Sequence, residues 1–161
     1  RETETSGEDL AGQEQVRVFE SVRAAAEFLR TTEGNILITT GSKELKEYTK
    51  IGNYQERCFA RVLSTKAAVE ESVRLGFEGK HLIAMQGPFS EEMNLALLHQ
   101  TRARYFVTKE SGKAGGFEEK LKAAKNAGAV LIVIGRPQEI GRSVQEVCHF
   151  IESSFVKKEQ E

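Results

Sequence analysis

Four short polar segments of this chain each follow a run of apolar residues, and they hold the residue types that bind anions. Gly, Ser and Thr supply backbone amides and hydroxyls as hydrogen-bond donors, and Lys and Arg add positive charge. Donors of this kind suit a ligand that carries phosphate or carboxylate groups. The candidate binding residues are Thr40, Gly41, Ser42, Lys43, Gln86, Gly87, Pro88, Phe89, Ser90, Lys109, Ser111, Gly112, Lys113 and Arg136.

Thr40-Gly41-Ser42 stands between an apolar run and a predicted helix. Backbone N–H groups at the start of that helix, together with its dipole and Lys43, would point at an anion. A tight turn with a serine cap explains the same residues, and taken alone this simpler interpretation is favoured. The segment has neither the Gly-Lys-Ser/Thr ending of a Walker loop nor the G-x-G-x-x-G fingerprint.

Gln86-Gly87-Pro88-Phe89-Ser90 is a second candidate segment. Pro88 removes a backbone donor and favours an extended conformation at Gly87. Phe89 has a structural explanation, since it would pack against Met93 or Asn94 as a hydrophobic staple ahead of the helix cap at Ser90. The amide of Gln86 either contacts a ligand or caps a neighbouring strand, and the sequence leaves both interpretations open.

The strongest chemical indication comes from Lys109, which ends an apolar run and precedes a glycine-rich stretch. A lysine in that place would meet an anionic ligand when the loop closes, although a solvated surface lysine is the alternative. Arg136 offers a similar cation, and Pro137 stiffens the chain beside it.

Other chemistries fit poorly. His81, His99 and His149 are scattered and no Cys-x-x-Cys pair occurs, so we predict no metal site. No G-x-S-x-G elbow for acyl transfer is present. A phospho-receiver domain would need acidic residues where the chain has Thr39-Thr40 and Met85-Gln86.

Apolar runs alternate with helical patterns along the chain. The predicted strands are Asn35–Thr40, Arg57–Leu63, His81–Met85, Tyr105–Thr108 and Ala129–Ile134. The predicted helices are one capped by Ser21 and ended near Gly34, Lys43–Ile51, Thr65–Leu75, one capped by Ser90, one from Gly115-Gly116 to Ala127, and Val144–Phe155. This alternation predicts a doubly wound, Rossmann-like α/β domain in three layers, with a five-stranded, mainly parallel sheet. Ligands of such sheets bind outside the carboxyl ends of the strands, which is where the polar segments fall.

Length and composition limit the function. The 161 residues suit a single domain, predicted as 16–156, with a linker or disordered start at 1–15 and a tail at 157–161. A net charge of −1 argues against nucleic-acid and membrane-surface binding, and no apolar run is long enough to span a membrane. Two cysteines favour a reducing compartment, so we expect a cytoplasmic protein. Arg1 in place of Met indicates a piece of something longer.

The order and spacing of these segments, over roughly residues 15 to 155, carry a family resemblance. The matching segments are Leu37-Ile38-Thr39-Thr40-Gly41-Ser42-Lys43, Arg61-Val62-Leu63, Ile83-Ala84-Met85-Gln86-Gly87-Pro88-Phe89-Ser90 with Asn94, Val107-Thr108-Lys109-Glu110-Ser111-Gly112, Gly115-Gly116-Phe117, Glu119-Lys120 with Ala123-Ala124, and Ile134-Gly135-Arg136-Pro137. Together they resemble the precorrin-6A reductase family of cobalamin biosynthesis, including its cobalt-precorrin-6A members. Each segment alone is a weak signal, whereas the set is specific.

The resemblance implies a C-terminal domain, because members of the family look like two α/β domains and the first would begin with a strand and a Gly-Gly-Thr turn. It implies reduction of one ring double bond of a tetrapyrrole by hydride from NADPH or NADH. The expected partners are the tetrapyrrole and the N-terminal domain of the same protein. Lys43, Lys109, Lys113 and Arg136 would then hold the carboxylates of the macrocycle, and no acid–base pair is assigned.

A second hypothesis comes from a different class. A non-catalytic Rossmann-like module that binds an anionic ligand or holds a partner domain would show the same fold, because fold alone does not fix function. The set of segments in order favours the reductase.

Overall fold

A parallel sheet of six strands forms the centre of the computed structural model, which describes residues 15–110 and 117–135. The strands are β1 (Val16–Phe19), β2 (Asn35–Ile38), β3 (Cys58–Val62), β4 (Leu82–Ala84), β5 (Ala103–Lys109) and β6 (Val130–Ile134). Their spatial order is β1-β6-β5-β2-β3-β4, and every neighbouring pair is parallel. The apolar runs in the sequence are the inner strands because helices cover both of their faces.

Helices connect these strands. They are α1 (Val22–Leu29), α2 (Tyr54–Arg57), α3 (Lys66–Arg74), α4 (Glu91–Thr101) and α5 (Phe117–Ala127), with 3₁₀ helices at Leu45–Lys50 and Gly79–His81. The predicted caps at Ser21 and Ser90 are confirmed, since each hydroxyl accepts a hydrogen bond from the backbone amide three residues later. Thr65 caps α3 in the same way.

Two apolar layers enclose the sheet. On one face α1, α3 and the 3₁₀ helix Leu45–Lys50 bury residues such as Leu29 and Tyr48. On the other face α4 and α5 bury Leu98 and Leu121 against Phe106. The predicted three-layer α/β class is therefore confirmed, and the layers hold the carboxyl ends of the strands at one edge.

The structure corrects the predicted strand count of five, because Val16–Phe19 forms a sixth strand, and the described sheet is parallel throughout. This strand has only four residues, none of them fully buried, and the sequence before it is polar. Its pairing with β6, from Val16 beside Leu131 to Phe19 beside Ile134, is a tertiary contact that local pattern does not reveal.

The predicted helix Lys43–Ile51 is also corrected, to a 3₁₀ helix over Leu45–Lys50. Its buried residues, Leu45, Tyr48 and Ile51, recur every third position. Three residues per turn put such positions on one face, whereas an α-helix would spread them apart.

Several predictions fall outside the described residues. These are the final helix Val144–Phe155, the tail 157–161 and all but the last residue of the linker 1–15. Within the described ranges no helix is both long enough and apolar enough to cross a membrane.

Candidate functional site

The order in which the chain adds strands reverses between the neighbouring strands β2 and β5. The chain leaves β2 toward β3 and β4, and it leaves β5 toward β6 on the opposite side. Connections that diverge in this way open a crevice at the carboxyl ends of the two strands, where ligands of open α/β sheets bind. The structure thus brings together two predicted segments, because Thr40–Lys43 follows β2 and Lys109 ends β5.

Direct contacts join these two segments. The Thr39 hydroxyl and amide both donate to the carbonyl oxygen of Val107, at 2.6 and 3.0 Å. The Lys109 Nζ lies 3.0 Å from Glu44 Oε1, and both side chains are about half exposed. Because exposed ion pairs are weak, an anionic ligand would compete with Glu44 for the Lys109 ammonium.

A buried tyrosine supports the turn that follows β2. The hydroxyls of Thr40 and Tyr48 are 2.9 Å apart, and Tyr48 is fully buried. Burial raises the pKa of the Tyr48 phenol far above its usual value, so the group stays neutral and acts as a hydrogen-bond partner. Gly41 has a φ of +93°, and a Cβ built there would meet nothing within 4 Å. The backbone at this glycine is therefore open to an approaching group.

The 3₁₀ geometry changes how an anion would be bound at this turn. A short 3₁₀ helix, not an α-helix, follows Ser42, and it has no side-chain cap. The helix that would favour an anion is therefore a single short 3₁₀ helix and not an α-helix, and binding of an anion by the backbone and side chains of this turn stays a prediction. Lys43 is exposed and makes no ion pair with any described residue.

The segment Gln86–Ser90 follows β4 at the same edge, and Gly87–Pro88 is a cis peptide bond. Gln86, Gly87, Pro88 and Ser90 are exposed. Among the described residues Gln86 has no hydrogen-bond partner, so its amide does not cap a neighbouring strand there. Contact of the Gln86 amide with a ligand stays a prediction.

Phe89 packs against a charged group. The guanidinium of Arg61 lies 3.6 Å from the centre of the Phe89 ring. Arg61 is only 6% exposed and donates from one terminal nitrogen to Asn94 Oδ1 at 2.7 Å. The predicted staple partner Met93 is itself exposed, whereas Arg61, which contacts the ring, is buried. Burial lowers the pKa of Arg61 to about 10, and the side chain is still a cation at neutral pH.

Four predicted site residues, Ser111, Gly112, Lys113 and Arg136, lie outside the described residues. The described residues that precede them, in β5 and β6, end at the same carboxyl edge. The amide of Glu110 donates to the Ile134 carbonyl at 2.9 Å, and its carboxylate accepts from Lys120 at 2.7 Å. No group of three or more His, Cys, Asp or Glu within the described ranges is arranged to hold a metal ion.

Sequence reasoning did not assign roles to Arg61, Glu44 or Tyr48. Arg61 gave a signal, because a charged residue inside the apolar strand Cys58–Val62 needs a specific partner. The sequence contained no signal for Glu44 and Tyr48, because their contacts depend on how the turn after β2 folds.

A groove of about 440 Å³ lies at the opposite edge of the sheet, away from the predicted site. Its walls include Phe59, Ile83 and Leu97, and its rim includes Lys80 and Gln100. These rim residues provide matched comparisons for lysine and glutamine at the carboxyl edge.

The profile of a family described as "Precorrin-6x reductase CbiJ/CobK" matches residues 2–152. The chain belongs to this family. It is 40% identical over 131 residues to the cobalt-precorrin-6A reductase of Priestia megaterium, covering 78% of the chain and 51% of that protein. It is 38% identical over 117 residues to the Salmonella typhimurium protein of the same name, covering 73% and 44%.

Another relative has the same name. The Methanothermobacter thermautotrophicus protein is 48% identical over 83 residues, covering 52% of the chain and 28% of that protein. The chain thus spans about half, or less, of the length of these relatives. A solved structure titled "CobK precorrin-6A reductase" has a TM-score of 0.56 and 20% identity, and the match covers 91% of this chain and 60% of that one. At this identity the likeness supports the fold alone.

Proposed function

We propose that this chain is the C-terminal domain of a nicotinamide-dependent precorrin-6A or cobalt-precorrin-6A reductase. The enzyme reduces a ring double bond of a tetrapyrrole in cobalamin biosynthesis. The observation that carries the proposal is the family match over residues 2–152, and the strand order, with its crevice between β2 and β5, supports the proposed place of binding. The cytoplasmic location that the cysteine usage predicts belongs to the same proposal.

The carboxyl edge suits a ligand with many negative charges. Lys43 is exposed there without an ion-pair partner among the described residues, and Lys109 is held only by the exposed Glu44. Charge-assisted hydrogen bonds from such groups bind carboxylates and phosphates. Lys113 and Arg136, which follow β5 and β6 in the sequence, are part of the proposed set.

The same edge fits a dinucleotide as well as a macrocycle. NADPH or NADH, when bound, supplies the hydride. The open backbone at Gly41 and the exposed backbone at Gly87, with the hydroxyls of Ser42 and Ser90, offer donors for phosphate oxygens. Gln86 offers a neutral amide to either molecule. These residues bind and orient, and positioning of the two reactants accounts for much of the rate in reactions of this kind.

The complete protein that contains this chain provides the test. We expect it to consume reduced nicotinamide in the presence of precorrin-6A or its cobalt form. Lys109→Ala and Gln86→Ala should each lower kcat/KM about tenfold, the loss expected for one charge-assisted or buried polar contact. Lys80→Ala and Gln100→Ala, at the opposite edge, are the matched controls and should leave kcat/KM unchanged.

One result would reject the proposed function, and another would reject the assignment of the site residues. One is a complete protein that does not oxidise NADPH or NADH with either tetrapyrrole. If it nevertheless bound a polycarboxylate at this edge, the non-catalytic binding module would be the better description. The other result is equal activity in the site variants and the controls, which would remove Lys109 and Gln86 from the site.

A further inference from the structure

A buried arginine lies beneath the Gln86–Ser90 segment and has no carboxylate partner among the described residues. Arg61 is 6% exposed, in a strand whose neighbours Ala60 and Val62 are buried apolar residues. A buried cation without a counter-ion is costly, and an apolar side chain would fill the same place at lower cost. This cost favours a functional role for the contacts that Arg61 makes.

These contacts join three parts of the structure. Arg61 belongs to β3, and it donates to Asn94 Oδ1 on α4 at 2.7 Å. The central carbon of its guanidinium lies over the ring of Phe89, 3.6 Å from the ring centre. The ring also lies close to Gly87, because a Cβ built on Gly87 would be 3.2 Å from it, so glycine leaves the space that the Phe89 ring occupies.

Both ends of the segment are fixed by hydrogen bonds. At its start the Met85 amide donates to the Val62 carbonyl at 3.0 Å. At its end the Ser90 hydroxyl accepts from the Met93 amide at 3.1 Å and caps α4. Between these points Phe89 stacks on the buried Arg61, and this contact restrains the segment.

We propose that Arg61 is a positioning residue, which through Phe89 holds the segment Gln86–Ser90 in the conformation that meets the ligand. Gln86 and the backbone at Gly87 are thereby presented at the carboxyl edge while Arg61 stays below them. The identity of the ligand rests on the proposed function, whereas the positioning itself does not depend on it.

The proposal requires arginine in particular. A guanidinium stacks flat on a ring and donates in its own plane at the same time, whereas a lysine ammonium is a point charge that does not do both. Arg61→Lys therefore keeps the charge and removes the geometry. Phe89→Leu removes the ring and keeps an apolar side chain, and Phe89→Tyr keeps the ring.

The direct test measures mobility of the segment in the complete protein. Backbone ¹⁵N order parameters of Gly87 and Ser90 should be near 0.85, roughly the rigid value, and fall below about 0.6 in Arg61→Lys and Phe89→Leu. Phe89→Tyr should restore the rigid value. Two controls make the same chemical changes away from the segment, namely Arg57→Lys, where Arg57 bonds to the Gly34 carbonyl, and Phe28→Leu, where Phe28 stacks under Arg17.

Kinetics of the complete protein provide the second measurement. A disordered segment must become ordered when the ligand binds, so KM for the tetrapyrrole should rise about tenfold with kcat changed less than about twofold. Arg61→Lys combined with Phe89→Leu should do little more than either change alone, because both break one contact.

The outcomes separate the two proposals. Unchanged order parameters in both Arg61→Lys and Phe89→Leu would overturn the positioning role, whatever the activity. The same is true if the controls loosen the segment equally. Loosening of the segment in a complete protein that reduces no tetrapyrrole would support the positioning role and reject the proposed function.

Discussion

The hydrogen bond between Arg61 and Asn94 predicts a strongly non-additive double-mutant cycle. Both side chains are buried, at 6% and 1% exposure, and their terminal atoms are 2.7 Å apart. Removing one partner leaves the other buried without its hydrogen bond, whereas replacing both by apolar side chains of similar size leaves no unpaired group. The cycle consists of Arg61→Met, Asn94→Leu and the combination.

The magnitudes follow from burial. The pKa of Arg61 falls from 12.5 to about 10 because burial disfavours the charged form, which corresponds to roughly 3 kcal/mol at about 1.36 kcal/mol per pKa unit. Asn94→Leu leaves the buried guanidinium without its hydrogen-bond acceptor, and losing one partner of a buried charged group should destabilise the fold by about 3 kcal/mol. Arg61→Met removes the charge and leaves the Asn94 amide unpaired, for a loss of about 1–2 kcal/mol. The double variant should lie within about 1 kcal/mol of the unsubstituted chain.

Urea unfolding followed by far-ultraviolet circular dichroism measures these differences. The coupling free energy should be at least about 2 kcal/mol, well above the roughly 0.5 kcal/mol typical of independent sites. Thr101→Val is the control, because Thr101 is buried on the same helix with an uncharged hydroxyl bonded to the Leu97 carbonyl, and it should cost about 1 kcal/mol. Additive effects, with Asn94→Leu no worse than Thr101→Val, would refute the reasoning that a buried charge depends on Asn94.

Three further predictions concern other parts of the fold. Ser90→Ala removes the α4 cap and should cost about 1 kcal/mol in urea unfolding, as should Ser21→Ala in α1, and an effect near zero would contradict the capping role. Gly34→Ala should cost about 1–3 kcal/mol, because Gly34 has a φ of +105° and a Cβ there would lie 3.0 Å from the Arg104 side chain; a stabilised variant would contradict this. Burial raises the pKa of the Cys58 thiol to about 12, so iodoacetamide at about pH 8 should label it only after unfolding, as peptide mapping would reveal.

The inner strands were predictable because their sequences leave little choice. Asn35–Ile38 and Val130–Ile134 are continuous apolar runs that only a strand covered on both faces can bury. The edge strand Val16–Phe19 was missed because an edge strand buries little surface and depends on its single neighbour. Its position in the sheet follows from pairing with β6, which is a long-range contact.

Part of the candidate site was also predictable. Parallel strands place their carboxyl ends at one edge, so Thr40, Gln86 and Lys109 had to lie along the same edge. Which of them meet was not predictable, because it depends on strand order: β2 and β5 are far apart in sequence and adjacent in space. The ion pair between Glu44 and Lys109 follows from that adjacency alone.

Under the proposed function, the residues that position the loops along this edge differ from the residues that bind the ligand. The side chains that fix the loops are buried or half-buried, as with Tyr48 under Thr40 and Arg61 under Phe89. Gln86 and Lys43, which would contact a ligand, are exposed and have no hydrogen-bond or ion-pair partner among the described residues. Exposed side chains without partners break no contact within the protein when a ligand binds, and loops fixed in advance lose little conformational entropy. Under the proposed function, a chain with almost balanced charge binds a polyanion because the position of its cations at one edge matters more than its net charge of −1.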